Sequence, residues 1–350
     1  MKGIKNSVPA MRHYVASLLL LLLGSVSVTA QIEATGKGVP VQISLNPDKK
    51  TIMVGEPLFI SFDVLNQSGE KLCLNTGGDY RNEWGRPDRF KVSVRTAEGE
   101  ELPKIPVSNH GGFIGCDAIE PGETYSVRLF LPHWVKIERP GSYQVNVARQ
   151  MTFSSFPPPE SLEAKYSMLA EVNTEFTVVP ADENKIGGVI NAFGSVMLDA
   201  GDSRAMESAT ALVSMKDKRV ISYFAEALRR FGNSGFTSGP GYEYTISSRS
   251  IKALATYDDD QAIDALRAAM KSPAEEIRSL VALAFLHSPH RSAASLLMKM
   301  QNDSHSSVRL TVAQGLRYVK TKESIATLQK LLKDENPDVR AAAQDSLSSN

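Results

Sequence analysis

Apolar positions change their period twice along this chain. From Val15 to Val28 they form a nearly continuous stretch, with Leu18 to Leu23 an unbroken leucine run. From there to about residue 180 they alternate in short runs bounded by turn residues, the mark of half-buried strands. Beyond residue 180 they recur at i, i+3, i+4 and i+7, the mark of amphipathic helices. The pattern predicts an apolar leader, then an all-β region, then an all-α region.

Six runs in the β region suit strands: Val39 to Leu45, Leu58 to Leu65, Lys91 to Arg95, Ser126 to Leu131, Tyr143 to Val147 and Phe176 to Val179. In the second, Leu58, Ile60, Phe62 and Val64 share one face, and Ser61 and Asp63 lie on the other with Phe59 and Leu65. Pro121-Gly122 and Pro140-Gly141 read as type II turns, proline presetting φ and glycine supplying the positive φ that follows. The second turn leads into Tyr143-Gln144-Val145. Pro-Gly-x-Tyr-x-Val opening a strand resembles a tyrosine corner. The resemblance implies an Ig-like β-sandwich over residues 31–180, in the broad sense only. Trp84 and Trp134 do not sit as the core tryptophan of an antibody domain would.

The helical region repeats. Ile277-Arg278, Val308-Arg309 and Val339-Arg340 stand 31 residues apart, as do Leu254, Phe285, Leu316 and Leu347, and Leu266, Leu297 and Leu328. Ile263, Ala294 and Ile325 form a further column. Leu212, Ile221 and Phe224 fit an earlier copy offset by 42, with a Gly-rich insertion at 231–245 absorbing the difference. Each of the four units holds two helices, as in Ile325, Leu328, Leu331 and Leu332 for the last second helix. Asp217, Asp259, His290 and Thr321 share the column where that helix needs a cap. One pair cannot bury its apolar face alone, and stacking builds a continuous core. Before the repeats, Ile186, Val189, Ile190, Phe193, Val196 and Met197 predict a capping helix within 181–200.

This half resembles the HEAT repeat family, in the short bacterial form related to phycobilisome-lyase HEAT-like repeats. The residues that carry the likeness are Asp303-x5-Arg309 and Asp334-x5-Arg340. The resemblance implies a right-handed α-solenoid over 201–350, with an Asp–Arg ladder tying neighbouring units through Asp303, Arg309, Asp334 and Arg340. Ser272 stands where the previous Asp belongs, and Ser247 where the previous Arg belongs, so the ladder breaks toward the N-terminal side. Lyase activity on bilins is not implied, because the repeats follow an exported β domain.

Composition sharpens the leader. Residues 1–30 hold Lys2, Lys5 and Arg12 and no acidic side chain, and Val28-Thr29-Ala30 supplies small residues for cleavage. A signal peptide at 1–30 places the rest in the periplasm or outside the cell. Of 39 basic and 39 acidic residues, 36 and 39 then remain. An oxidising compartment permits a Cys73–Cys116 disulfide, and two buried thiols are the alternative. Asn66 and Asn302 open glycosylation sequons, relevant only to a eukaryotic secretory route.

Balanced charge excludes a strongly basic nucleic-acid binder. No phosphate loop, nucleophile elbow or metal-binding His-Glu-x-x-His occurs, and His287, His290 and His305 read as turn residues. The expectation is a non-enzymatic exported scaffold, without metal or cofactor, that holds a protein partner on the concave repeat surface. Its candidate contacts are Arg229, Lys271 and Lys333 in one column, Lys299 and Lys330 on the adjoining face, and Tyr242 and Tyr244 at the insertion. An alternative makes the sandwich a cell-envelope carbohydrate binder, with Tyr80, Arg81, Trp84 and Arg86 as contacts and the solenoid as spacer.

Overall fold

The computed structural model describes residues 38–76, 89–106, 115–156, 164–236 and 241–349. The leader at 1–30 and Tyr80, Arg81, Trp84 and Arg86 lie outside the described residues, as do positions 237–240 of the insertion.

A strand-rich region precedes a helical one. The strands are β1 (Val41–Pro47), β2 (Thr51–Met53), β3 (Phe59–Asn66), β4 (Leu72–Asn75), β5 (Lys91–Thr96), β6 (Cys116–Ile119), β7 (Thr124–Phe130), β8 (Gly141–Ser155) and β9 (Tyr166–Val179). One antiparallel sheet has the order β1-β3-β7. The other runs β2-β9-β8-β4-β6, with β5 also on β8, and only its β2–β9 pair is parallel. Ile60, Phe62 and Val64 of the first sheet share one buried cluster with Val145, Val147 and Phe153 of the second. Burial of these side chains is the main stabilising term, at roughly 1.5–3 kcal/mol each.

Two expected strands are fragments of longer ones. Tyr143 to Val147 and Phe176 to Val179 belong to β8 and β9, which span 15 and 14 residues in continuous register from Gly141↔Val178 to Phe153↔Tyr166. The three strands absent from the expectation, β2, β4 and β6, are three or four residues long. Leu72, Cys73 and Leu74 are all buried, so β4 has no alternation to read. Gly122 adopts φ +78°, and the N–H of Glu123 closes that turn on the Glu120 carbonyl at 3.0 Å. At the second turn the Tyr143 hydroxyl donates to the Arg139 carbonyl at 2.8 Å, tying the start of β8 to the chain just before it. Cys73 and Cys116 form a disulfide between the neighbouring strands β4 and β6, with Cα atoms 5.4 Å apart. Asn66 is fully buried, and its amide donates to the carbonyls of Glu70 and Ile119, both at 2.9 Å. A glycan on that nitrogen is incompatible with this fold.

The helices are α1 (Glu183–Met197), α2 (Ala205–Met215), α3 (Val220–Phe231), α4 (Tyr242–Leu254), α5 (Asp260–Ala269), α6 (Glu275–His287), α7 (Ala293–Lys299), α8 (Ser306–Gly315), α9 (Lys322–Leu331) and α10 (Pro337–Ser348). Leu254, Phe285 and Leu316 are buried, as are Leu266, Leu297 and Leu328, so both leucine-rich columns face the core. Ile325 departs from its column: it is 37% exposed, where Ile263 is buried. No later second helix among the described residues covers that side of α9. Gly194 sets the approach of α1 to α3, since a Cβ there would lie 2.2 Å from the Tyr223 ring.

A polar acceptor recurs at the entry to each second helix. Asp217 accepts from the Arg219 N–H at 2.8 Å, Asp259 from Gln261 at 2.9 Å, His290 Nδ1 from Ser292 at 3.2 Å and Thr321 from Ser324 at 3.1 Å. At α5 and α9 the acceptor takes a first-turn N–H of the helix, whereas at α3 and α7 it takes the N–H of the residue just before the helix, so the column holds the entry turn in all four units and caps the helix itself in two. Because His290 accepts through Nδ1, its Nε2 carries the proton toward Asp260, 3.1 Å away. Asn336 caps α10 in the same manner, accepting from Asp338 and Val339, with proline at the first helical position.

The two regions touch through the outer face of β3. Phe59 packs at 4.8 Å between ring centroids on Phe130, and both lie in a small cluster with Ala211 and Phe193. Arg128 of β7 covers that cluster, its guanidinium 5.0 Å from the Phe59 ring centroid. It binds Asp48 at 2.6 Å and Glu207 of α2 at 2.7 Å. No helix among the described residues is long and apolar enough to cross a membrane.

Candidate functional site

The basic column falls at the ends of second helices. Arg229, Lys299 and Lys330 lie in the last turns of α3, α7 and α9, where a cation also complements the helix dipole. Lys271 and Lys333 follow α5 and α9 directly. All five are exposed. A groove of about 260 Å³ between α3 and α5 brings Arg229 and Lys271 together over Ala225, Ala265, Ala268 and Ala269. Small side chains form its floor because the two helices pack directly against each other.

The charges in this row are not equally available. Glu226 takes both Arg229, at 2.6 Å, and Arg230, at 2.7 Å. Hydrogen bonds from those two guanidinium groups hold its carboxyl down to about 2. Lys271, Lys299, Lys330 and Lys333 make no ion pair among the described residues. The free positive charge of the row therefore comes from lysines, and Arg229 adds little.

Tyr242 and Tyr244 belong to the first turn of α4. Tyr242 opens α4, donates to the Met197 carbonyl at the end of α1, and meets Phe231 edge to face at 5.5 Å. Tyr244 meets Phe236 in the same geometry at 5.5 Å, leaving Phe236 the more exposed of the two. A larger cleft of about 870 Å³ lies on the first helices α6, α8 and α10, where Leu283 and Tyr318 are exposed. It contains none of the expected contacts.

Of the expected ladder residues, Asp303, Arg309 and Asp334 are placed in rungs between helix pairs. Arg278 binds Asp303 through Nε at 2.8 Å and Nη2 at 2.9 Å. Arg309 binds Asp334 through the same atoms at 2.7 and 2.8 Å. Each arginine also donates Nη1 to two carbonyls preceding its own helix: Arg278 to Ser272 and Pro273, Arg309 to Asp303 and Ser304. Arg340 repeats only this second half, on Asp334 and Glu335. Arg278 is thus a rung member beside Asp303, Arg309 and Asp334, and Arg340, the fourth residue named from sequence, pairs with no Asp among the described residues. The 31-residue column that places Arg278 with Arg309 and Arg340 carried that signal.

Sequence reasoning missed a buried cation. Arg149 is 3% exposed on the inward face of β8, between Val147 and Met151 in the alternation. It lies over the Phe90 ring at 4.7 Å, and its Nε and Nη1 meet no acceptor among the described residues. Burial lowers its pKa, opposed in part by Tyr125. The alternation Val145, Val147, Arg149, Met151, Phe153 was the available signal. Trp134 is also buried, behind the 3-10 turn Leu131–His133, and offers no stacking surface. Among the described residues no group of His, Cys, Asp or Glu side chains is arranged to hold a metal ion.

Residues 293–349 match the family profile described as HEAT repeats. Among curated proteins none matches. Human deoxyhypusine hydroxylase in complex with glycerol is a similar solved structure at 16% identity and TM-score 0.28, over 46% of this chain and 73% of that one. An engineered protein is similar at 18% identity and TM-score 0.27, over 47% of this chain and 83% of that one. Escherichia coli alpha-2-macroglobulin activated by porcine elastase is similar at 12% identity and TM-score 0.22, over 89% of this chain but 36% of that one. At such scores these likenesses carry no argument. A strand-rich region followed by a helical region that contains a HEAT repeat match describes the chain.

Proposed function

We propose that this protein is an exported, non-enzymatic scaffold that holds an acidic segment of a protein partner against its second helices. In this reading residues 1–30 are a cleaved signal, 31–180 an Ig-like β-sandwich, 181–200 a capping helix and 201–350 a right-handed HEAT-like solenoid. The sandwich assignment is supported by the bond from the Tyr143 hydroxyl to Arg139 and by the cluster shared between the two sheets. The solenoid assignment is supported by the recurring caps and rungs, each joining one unit to itself or its neighbour.

One observation carries the binding reading: four exposed lysines without ion partners among the described residues stand at or just beyond the ends of second helices, and one of them, Lys271, lines an alanine-floored groove. Small floor residues let a partner's backbone approach, and the unpaired ammonium groups favour carboxylates. Reversible cross-linking of the tagged protein in its own cells, with a Lys271→Glu/Lys333→Glu variant beside it, tests this. The expected result is a specific protein lost in the variant and released by salt. Recovery of the same proteins with both forms overturns it.

A further inference from the structure

The strand-rich and helical regions do not meet flush. Beside the Phe59–Phe130 contact, a cavity of about 580 Å³ opens between the turn that follows β2 and the end of α2. Its walls are chiefly apolar, built from Ile52, Met53, Leu58, Leu131, Val135 and Met215. That volume lies within the ordinary range for small-molecule sites, which favour junctions of this kind.

Four charged side chains also line it: Glu56, Lys136, Glu138 and Lys216. Three are accounted for. Glu56 is bound by Lys49 and by the Met53 N–H at 3.0 Å, and Lys136 pairs with Glu138. Lys216 alone has no ion pair among the described residues. It is also the one non-glycine described residue with positive φ, at +52°, where it ends α2. Glycine is the residue that ordinarily takes this left-handed position, because a Cβ is disfavoured there. A lysine therefore sits at some cost in backbone strain at the rim of an apolar cavity, as the one uncompensated charge.

We propose that this cavity binds an amphiphile with an apolar chain and one carboxylate, of the fatty-acid type. The chain lies among Met53, Leu58, Leu131 and Met215, and the carboxylate meets the Lys216 ammonium. Charge complementarity selects an anion over a cation, because adding a cation would leave Lys216 unpaired beside a like charge. The occupant contacts both regions at once, and so binding favours their docked arrangement. This site is separate from the lysine row on the second helices, so either proposal can fail alone.

Calorimetric titration of the purified protein with decanoate, decanol and decyltrimethylammonium reads the head-group preference. Decanoate is expected to bind at least tenfold more tightly than decanol, and the cationic amphiphile not at all. Lys216→Gly distinguishes strain from function: it should raise Tm without ligand, yet weaken decanoate about tenfold and leave decanol unchanged. Met215→Trp, which fills the cavity, should abolish both. Equal binding of decanoate by wild type and Lys216→Gly overturns the proposal, as does no binding of any of the three by wild type.

Discussion

Arg309 holds Asp334 across 25 residues with two parallel hydrogen bonds, and Arg278 holds Asp303 at the same separation. A further 31 residues back from Arg278 and Asp303 stand Ser247 and Ser272. Both members of that rung are serine. They do not bond each other: Ser272 donates to the Gly232 carbonyl at 2.7 Å, and the buried Ser247 hydroxyl has no partner among the described residues. Losing both partners together leaves no unpaired buried charge, whereas losing one would.

Arg309→Ala should destabilise the protein by about 3–5 kcal/mol, because it strands Asp334 in a site that is mostly enclosed. Lysine should rescue little of this, since it cannot make the forked contact. At the missing rung, Ser247→Arg alone should destabilise, and adding Ser272→Asp should recover part of the loss. Urea unfolding of the two single variants and the double variant measures the coupling. Additive effects would mean that no rung forms there.

Acid should act on two groups in different windows. Burial, then the charge of Arg249, lowers His133 from 6.5 to about 4. As pH falls, the unfolded chain takes up the proton first, so this contribution is whole above pH 6.5 and is lost between 6.5 and about 4. It amounts to at most about 3 kcal/mol, less for the partial exposure of the ring. The Asp334 carboxyl lies below its usual 3.8, chiefly through Arg309. Its contribution is present above 3.8 and vanishes as pH falls through the folded value. Tm measured from pH 7 to 5 should fall in wild type and hold nearly level in His133→Gln.

Reducing the Cys73–Cys116 bond, or replacing both cysteines by alanine, should cost about 3–4 kcal/mol, in keeping with a loop closed over 43 positions. The helical region has no disulfide among the described residues, so the loss should appear in the strand-rich region's hydrogen exchange first. Protection that falls equally in α8 and α10 would contradict this.

Arg128→Ala should weaken docking of the two regions by about 1–2 kcal/mol, since one guanidinium binds carboxylates from both while covering Phe59. Limited proteolysis near residue 200 should accelerate several-fold. Arg128→Lys, which keeps the charge, should restore only part of the protection.

Periodicity made the helical region readable, because its last three units repeat their core columns at one interval and two Arg–Asp rungs recur with the same period. The strand-rich region was readable only where one face is wet. In β4 every hydrophobe is buried, and in β2 three residues give no period. The lysines were legible as two adjoining columns, but the pairing of Arg229 with Glu226 was not, since it depends on rotamers rather than on spacing. The cavity at the junction had no sequence signature at all. Its walls come from separate elements that meet only after both regions have folded.

Phe59 has a further consequence for how this chain tolerates change. In β3 the inward residues Ile60, Phe62 and Val64 fill one core, while Phe59 faces the helices. Slipping the strand by one residue against β1 and β7 would exchange those two sets. A pairing error would thus be registered twice, as a spoiled β core and as a helical layer without a seat. The first half of the chain therefore carries the address at which the second half lands, and substitutions in either half are constrained by the other.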